Sequence, residues 1–516
     1  MNFDVHRGTS IKNFGILSNQ AVKRLDVVIN QVQKKRKSGM KKKIWSAGLA
    51  ALGICSSAQA LYIDEATFKS YGGDVSNVAN SIKTHNNTLR SFSYQAPWSG
   101  VGDLGGCTGT WLGDKAGWSY ILTAAHCSGY SATETSVNRT FTAPGGRVIA
   151  SGQGTAYVPP QRVNIPQGLG GASTDIAILK LPSRNPLLDA AGRPLERPIL
   201  NDAMDEQGRD VIYVGYGAWG VGMQDNGFWP QDGERRLYGR SRIDRVFESD
   251  YGIGAAYQPV GPSPSWARVA SGDSGSAAWQ IRDGKAVIVG AINTYSEYVS
   301  NAARVSKWAG WIKSVYPDAR FLSSEQPEGC IVSLNTGARY CLPVGASSGY
   351  SLPSWIYAND VYVDASPGAA VTLSDWDNLS YARVANFIGT VENSGLKSVK
   401  AANGQMLDFS QPRSMAVVRD TTPVGCIVSL TSAAKYCLPA GQRSGYALPA
   451  WIYAQEVQVE APPGLGVMLS DWDNLSYNRV ATFPGLVQNW DLKKARAWNG
   501  EDLDFSRPRS MRVVQQ

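Results

Sequence analysis

The chain has 516 residues with 54 glycines, 10% aromatic residues and only 18% charged residues. That length exceeds a single hydrophobic core and implies two to four domains, and the composition suits β-rich, turn-rich extracellular domains better than helical cytosolic ones. The formal charge of +8 does not make a nucleic-acid binder: residues 1–43 hold 11 Lys and Arg against 2 Asp and Glu, leaving 39 against 40 elsewhere. The basicity belongs to the leader, and nucleic acid is excluded as a partner.

The first element in chain order is that leader, residues 1–60. Met40-Lys41-Lys42-Lys43 precedes the apolar stretch Ile44–Cys55 and then Ser56-Ser57-Ala58-Gln59-Ala60. A basic start, a short apolar run and an A-x-A site form a secretory signal, with cleavage expected after Ala60 and Leu61 as the new end. The apolar run is too short for a stable membrane span. Met40 is the expected true start; a basic cytoplasmic tail over residues 1–39 is the alternative. The expected location is therefore extracellular.

Residues 61–322 come next. Strands are expected at Tyr120–Leu122, Ile176–Leu181, Val211–Val214 and Val287–Ile292, with a helix over Ala302–Val315 whose Val305, Trp308, Ile312 and Val315 share a face. The remainder is a tandem repeat. Residues 329–420 align with 425–516 at an offset of 96 without gaps, and GCIVSL, WIYA, LSDWDNLSY and PRSM occur in both copies. Two copies of short β-like runs, such as Ile331–Leu334, Val361–Val363 and Val371–Leu373, are two small domains rather than a solenoid.

Cys55 would leave with the leader, and the other six cysteines fall into local pairs: Cys107/Cys127, Cys330/Cys341 and Cys426/Cys437. After an export signal, short spacings and an even count read as disulfides. A zinc site would need nearby histidines, and the mature chain has only His85 and His126, so no metal is expected there.

Three segments carry chemistry: Leu122-Thr-Ala-Ala-His126-Cys127, then Thr174-Asp175 before an apolar run, then Ser271-Gly272-Asp273-Ser274-Gly275-Ser276. A serine hydroxyl needs an imidazole to take its proton, the imidazole needs a buried carboxylate to orient it, and the oxyanion needs backbone N–H donors. Ser274 is the expected nucleophile, His126 the base and Asp175 the orienting acid. The N–H groups of Gly272 and Ser274 are the expected oxyanion hole.

The order and motifs resemble the chymotrypsin/trypsin family over residues about 93–315. Pro97-Trp98, Cys107-Thr-Gly-Thr-Trp111, Gly215-Tyr-Gly217 and Val305–Ile312 extend the likeness. The resemblance implies an all-β protease domain of two six-stranded barrels with a C-terminal helix. It also implies a cleft between the barrels and a Cys107–Cys127 bridge. Three departures limit it. The family's Ile/Val-Val-Gly-Gly amino-terminal segment, whose amino group pairs with the acid at Asp273, is not found between Leu61 and Cys107; Ser81-Ile82 and Arg90-Ser91 are only weak cleavage points. Ala270 stands where the family has a cysteine. The pocket-base position is Arg268, which either attracts an acidic side chain by a charge-assisted hydrogen bond or points outward. Asn293, Thr294 and Tyr295 are the expected pocket wall.

In the repeats, Val371-Thr-Leu373-Ser-Asp-Trp376-Asp377 with Tyr381, and its counterpart Val467 to Tyr477, resemble a Greek-key motif of βγ-crystallin domains. Pro353–Val363 and Ser414–Val417 fit the flanking strands. The resemblance implies small Greek-key β-sandwiches stapled by Cys330–Cys341 and Cys426–Cys437. Their calcium pattern is degenerate; Asp375, Asp377, Asp471 and Asp473 read first as solvated turn carboxylates, with calcium ligation as the alternative, and no other cofactor is expected. The Trp and Tyr residues read as core packing, with a binding face as the alternative. The whole is expected to be a monomeric, secreted serine endopeptidase acting on proteins or peptides. The alternatives are a silent protease-like binding protein, or an adhesin or inhibitor working through the repeats.

Overall fold

The computed structural model describes residues 61–78, 88–129, 132–165, 171–189, 192, 194–225, 236–261 and 263–516. The leader with Met40 and Ala60, and also His85 and Ser81-Ile82, lies outside these residues.

Six strands, Val101–Asp103, Thr108–Lys115, Trp118–Thr123, Glu134–Ala143, Arg147–Tyr157 and Ala177–Pro182, close into a barrel. Its outer strand Glu134–Ala143 shows the alternation expected when one face meets water, with Val137, Phe141 and Ala143 buried and their neighbours largely exposed. A second ring joins Ala277–Arg282, Asp210–Gly215, Leu237–Phe247, Gly252–Ala256, Val299–Arg304 and Lys285–Ser296, the last pairing back to the first. Asp210–Gly215 is buried at every position, because one face fills this barrel and the other is covered from outside.

The C-terminal helix runs over Val305–Val315, three residues shorter than the apolar periodicity predicts. Ala302 and Ala303 instead pair with Ile253 and Gly252 on one side and Ile292 and Ala291 on the other. Two flanking ladders outweigh local helical preference, as tertiary context commonly does.

Each repeat is a sandwich of a four-stranded and a three-stranded sheet. In the first, Glu328–Ser333 and Val361–Ala365 face Ala369–Ser374 and Ser414–Arg419 across a core that includes Ile331, Val363, Val371, Phe409 and Met415. Within the stretch read as one flanking strand, Ser354–Tyr357 is a helical turn. Cys330–Cys341 and Cys426–Cys437 are cross-strand disulfides, and Cys107–Cys127 closes the third pair.

The aromatic residues of the LSDWDNLSY segments are not core, contrary to expectation. Trp376 and Trp472 are each 51% exposed, and Tyr381 and Tyr477 lie further out still. Positive φ at Asn378, Leu379 and Tyr381, and at Asn474, Leu475 and Tyr477, turns these segments outward, while phenylalanines such as Phe409 and Phe505 fill the interior. The carboxylates put forward as calcium ligands are already engaged. Asp375 pairs with Arg383 and Asp377 with Arg413, and Asp471 and Asp473 pair with Arg479 and Arg509. A cation there would have to displace a guanidinium.

The barrels and both repeats belong to one compact unit, Ser56–Gln516. Val424, Cys426, Val428, Leu430 and Cys437 of the second repeat join the apolar core of the second barrel. Polar bonds seal the junction. Trp98 Nε1 donates to the Thr431 carbonyl at 3.2 Å and the Tyr238 hydroxyl to the Leu430 carbonyl at 2.8 Å. Arg240 meets Glu456 at 2.7 Å and Asn489 at 2.6 Å, and Asp210 N–H donates to Gln488 at 2.7 Å.

Candidate active site

His126 sits on a short helical turn that follows the strand Trp118–Thr123 of the first barrel. Asp175 follows the turn Gly171–Thr174 just before the strand Ala177–Pro182. Those two strands are neighbours, with Thr123 opposite Ala177, so their ends bring the two side chains together. Asp175 Oδ2 lies 2.6 Å from His126 Nδ1, and Oδ1 accepts the His126 backbone N–H at 2.9 Å. The carboxylate is buried while the imidazole is about one-third exposed, its side chain at 35%. This geometry holds Nδ1 and leaves part of the ring open to solvent.

The loop before Asp175 is anchored from the second barrel. Asn293 Nδ2 donates to the Ala172 carbonyl at 2.6 Å, with the Asp175 carbonyl 3.4 Å away, and Trp308 Nε1 donates to the Ser173 carbonyl at 3.0 Å. Asn293 therefore braces the acid rather than simply lining a wall. Arg162, which sequence reasoning missed, places Nη2 3.6 Å from Asp175 Oδ1. Its position on the turn Pro160–Asn164 carries no motif that would have revealed it.

Ser274 lies in the turn before the strand Ala277–Arg282 of the second barrel. Its carbonyl accepts the Thr108 N–H at 2.8 Å, and the Cys127 sulfur lies 3.6 Å from the same oxygen. The Thr108 hydroxyl donates to the Gly272 carbonyl at 2.9 Å. These bonds pin the serine turn against the segment that carries His126. Gly272 has φ +90°, in the region that favours glycine. Among the described residues the N–H groups of Gly272 and Ser274 donate to no protein acceptor, and Ser274 Oγ has no hydrogen-bond partner. Nucleophile–base bonds are often long without substrate.

Asp273 is fully buried. Its carboxylate accepts N–H bonds from Ala270 at 2.9 Å and Gly217 at 3.0 Å. Burial pushes its pKa up to about 7, against the opposing effect of those N–H groups and of the Arg268 charge. Gly215 is needed beside it, because a Cβ there would lie 2.1 Å from Asp273 Oδ1.

No Ile/Val-Val-Gly-Gly segment stands between Leu61 and Cys107, yet the residues that follow the expected leader pack into the domain. Leu61 is fully buried, and Tyr62-Ile63 forms a strand between Gly220-Val221 and Ala267-Arg268. Leu-Tyr-Ile lacks the family's glycines, so only the pairing reveals it. The weak cleavage point Arg90-Ser91 lies in a helical turn, with Tyr94 N–H bonded to the Arg90 carbonyl.

Arg268 is buried beneath Tyr62 and does not point outward. Thr294 and Tyr295 are exposed on the end of the strand Lys285–Ser296. Both pair with Asn301 and Ser300 on one edge. Ala270, where a bridge is lost, is itself buried.

Family models agree with this architecture. The family described as Trypsin matches residues 82–312, and Beta/Gamma crystallin matches 329–418 and again 425–514. Over 97 residues the chain is 62% identical to Metalloprotease StcE of Escherichia coli O157:H7. That match covers 19% of this chain and 11% of the relative, so the chain spans about a tenth of that protein's length. Two solved structures share part of the chain. A Glu endopeptidase in complex with MPD has 18% identity and a TM-score of 0.28, covering 44% of this chain and 94% of that one. The scabies mite inactivated protease paralogue S-I1 has 21% identity and a TM-score of 0.29, covering 43% and 96%. The chain is a protease-like protein built from a Trypsin domain followed by two Beta/Gamma crystallin domains.

Proposed function

We propose that the protein is an exported serine endopeptidase that cleaves peptide bonds through an acyl-enzyme. Ser274 attacks the scissile carbonyl, and His126 takes its proton and later returns it to the leaving amine. Asp175 holds the imidazole in the productive tautomer, and the N–H groups of Gly272 and Ser274 receive the oxyanion. The observation that carries this reading is the doubly bonded His126–Asp175 pair beside a serine turn whose two N–H groups are idle.

Leader removal after Ala60 completes the site in this reading. Extending the register of Tyr62 by one residue sets Leu61 beside Trp219 and Val269, next to the segments whose N–H groups hold Asp273. A free amino group at Leu61 adds a positive charge for this buried carboxylate, which otherwise meets two backbone N–H groups and the Arg268 charge beyond ion-pair distance. Export to an oxidising compartment also accounts for the three disulfides.

A fluorophosphonate probe on the protein beginning at Leu61 tests this. Covalent labelling is expected, and Ser274→Ala abolishes it together with peptide cleavage. Absence of labelling in the mature protein would leave a silent scaffold instead.

A further inference from the structure

Arg162 stands on the turn Pro160–Asn164, and its side chain is 8% exposed. Its guanidinium reaches both ends of the turn that delivers Asp175. Nη1 donates at 2.8 Å to the carbonyl of Gly171, the first residue of the turn Gly171–Thr174. Nη2 lies 3.6 Å from Oδ1 of Asp175, the residue that follows the turn. One planar fork therefore holds the start of the turn and the charge at its end, a two-point contact that the single ammonium of a lysine does not reproduce.

The segment that carries the arginine is packed against the pair it serves. Ala125, Val158 and Ala177 form a small buried cluster, with Val163 against it. Ala125 precedes His126, Ala177 lies two residues beyond Asp175, and Val163 follows Arg162. The three functional side chains thus leave one shared apolar support, which fixes their relative positions.

The electrostatics give the contact a purpose. Asp175 must keep its charge as the imidazolium forms, yet its side chain is only 4% exposed. Burying an ion is costly unless opposite charge and hydrogen bonds compensate. His126 supplies two contacts, the ring Nδ1 at Oδ2 and the backbone N–H at Oδ1, but the resting base is neutral. Asn293, Trp308 and Glu248 brace the turn through backbone groups of Ala172 and Ser173. Among the described residues Arg162 alone of the lysines and arginines lies within ion-pair distance of the carboxylate, and it approaches from Oδ1, leaving Oδ2 to the ring.

We propose that Arg162 is a positioning residue for catalysis, its fork locking the Asp175 carboxylate onto His126 by holding Oδ1 and the Gly171 carbonyl together. This rests on the serine-protease reading and adds a fourth side chain to its charge network.

The test uses the mature chain beginning at Leu61 and a fluorophosphonate probe. The limiting rate of labelling and the half-saturating probe concentration are measured separately. Loss of a hydrogen-bonded charge that acts as the imidazolium develops lowers the limiting rate about tenfold to a hundredfold in Arg162→Gln, with half-saturation within about twofold of wild type. Arg162→Lys keeps the charge, loses the second contact and falls between. The rate constant is independent of how much protein is folded, whereas a purely structural arginine changes the final extent of labelling. If Arg162→Gln does not fold, Arg162→Lys decides: a lowered limiting rate at unchanged half-saturation supports the clamp, and a wild-type rate overturns it. Arg162→Gln at the wild-type limiting rate, or an effect confined to half-saturation, overturns the positioning role and leaves the protease reading standing. A wild-type chain that does not label overturns both.

Discussion

The two crystallin domains are near-copies in sequence and unequal in the molecule. They share GCIVSL and LSDWDNLSY, yet Leu334 of the first is 50% exposed while its counterpart Leu430 is 1% exposed. Corresponding faces meet different partners. In the second domain Glu456, Gln488 and Asn489 bond to Arg240 and Asp210 of the second barrel. In the first, Tyr362 stacks on Trp451, and Thr390 and Glu392 bond to Cys437 and Tyr436 of the second. The domains form a chain of contacts in which the second repeat is cemented to the barrels and the first is cemented to the second. Duplication supplied one docking face, and a few substitutions on it selected what it docks against.

Truncation after Asp420 breaks the comparison most severely. It strips the partners from Trp98, Tyr238 and Arg240 together, and we expect loss of soluble protein and of fluorophosphonate labelling, read by gel filtration and probe. Repeat 2 is then a structural part of the barrels; a soluble, fully labelling truncation would make it a mere appendage.

A charge-removing pair sharpens the same point. Burial works to raise the Glu456 pKa, but Arg240, Lys493 and Arg507 outweigh it and hold the group at about 2. Glu456→Gln leaves Arg240 buried without its carboxylate, for an expected loss of about 3–5 kcal/mol. The equivalent change in the first repeat, Asp360→Asn, removes an exposed contact 3.7 Å from Lys397 and should cost less than about 1 kcal/mol. Urea unfolding compares them.

Next in size is the leucine pair. Leu430→Ala empties a packed site and should cost about 2–4 kcal/mol, whereas Leu334→Ala should stay within about 0.5 kcal/mol. Equal effects would mean the second repeat is not docked in solution.

The smallest effect is a pH dependence specific to the docked repeat. Burial, reinforced by Asp283, pushes Glu460 up to about 7 from an ordinary 4.5. Below pH 4.5 the carboxyl is protonated in both folded and unfolded chains and carries no penalty. As pH rises from 4.5 to 7 the unfolded chain ionises first, so stability should fall by about 1–2 kcal/mol, the group being only partly buried, and then level off. Glu460→Gln should flatten that segment of the thermal midpoint–pH curve. Glu456 acts in the opposite sense, its contribution being intact above pH 4.5 and lost as pH falls toward 2.

Much of the fold was legible in residues 101–315 because closed barrels require apolar strands with turns between them. Val211–Val214 lies within the strand Asp210–Gly215, and Ile176–Leu181 matches Ala177–Pro182 with both ends shifted by one residue. The helix start was misread because Ala302 and Ala303 satisfy helical spacing equally well, and only two neighbouring ladders decide for strand. Trp376 and Trp472 were misread because an aromatic residue in a β-motif normally fills a core; the left-handed turns after them reverse their direction. Arg162 and the buried strand at Tyr62 were invisible, since Arg162 meets Asp175 without any motif to mark it and Tyr62 gains its role from a partner far along the chain.

By itself, the sequence determined the domain order, the cysteine pairs and the three segments that bear His126, Asp175 and Ser274. These are local matters of residue type and spacing. The tertiary structure decided that Tyr62-Ile63 pairs between two other strands, that Arg268 is buried beneath Tyr62, and that one of two similar repeats is built into the second barrel. Each of those depends on burial, and burial is set by what packs from elsewhere in the chain rather than by the residues alongside.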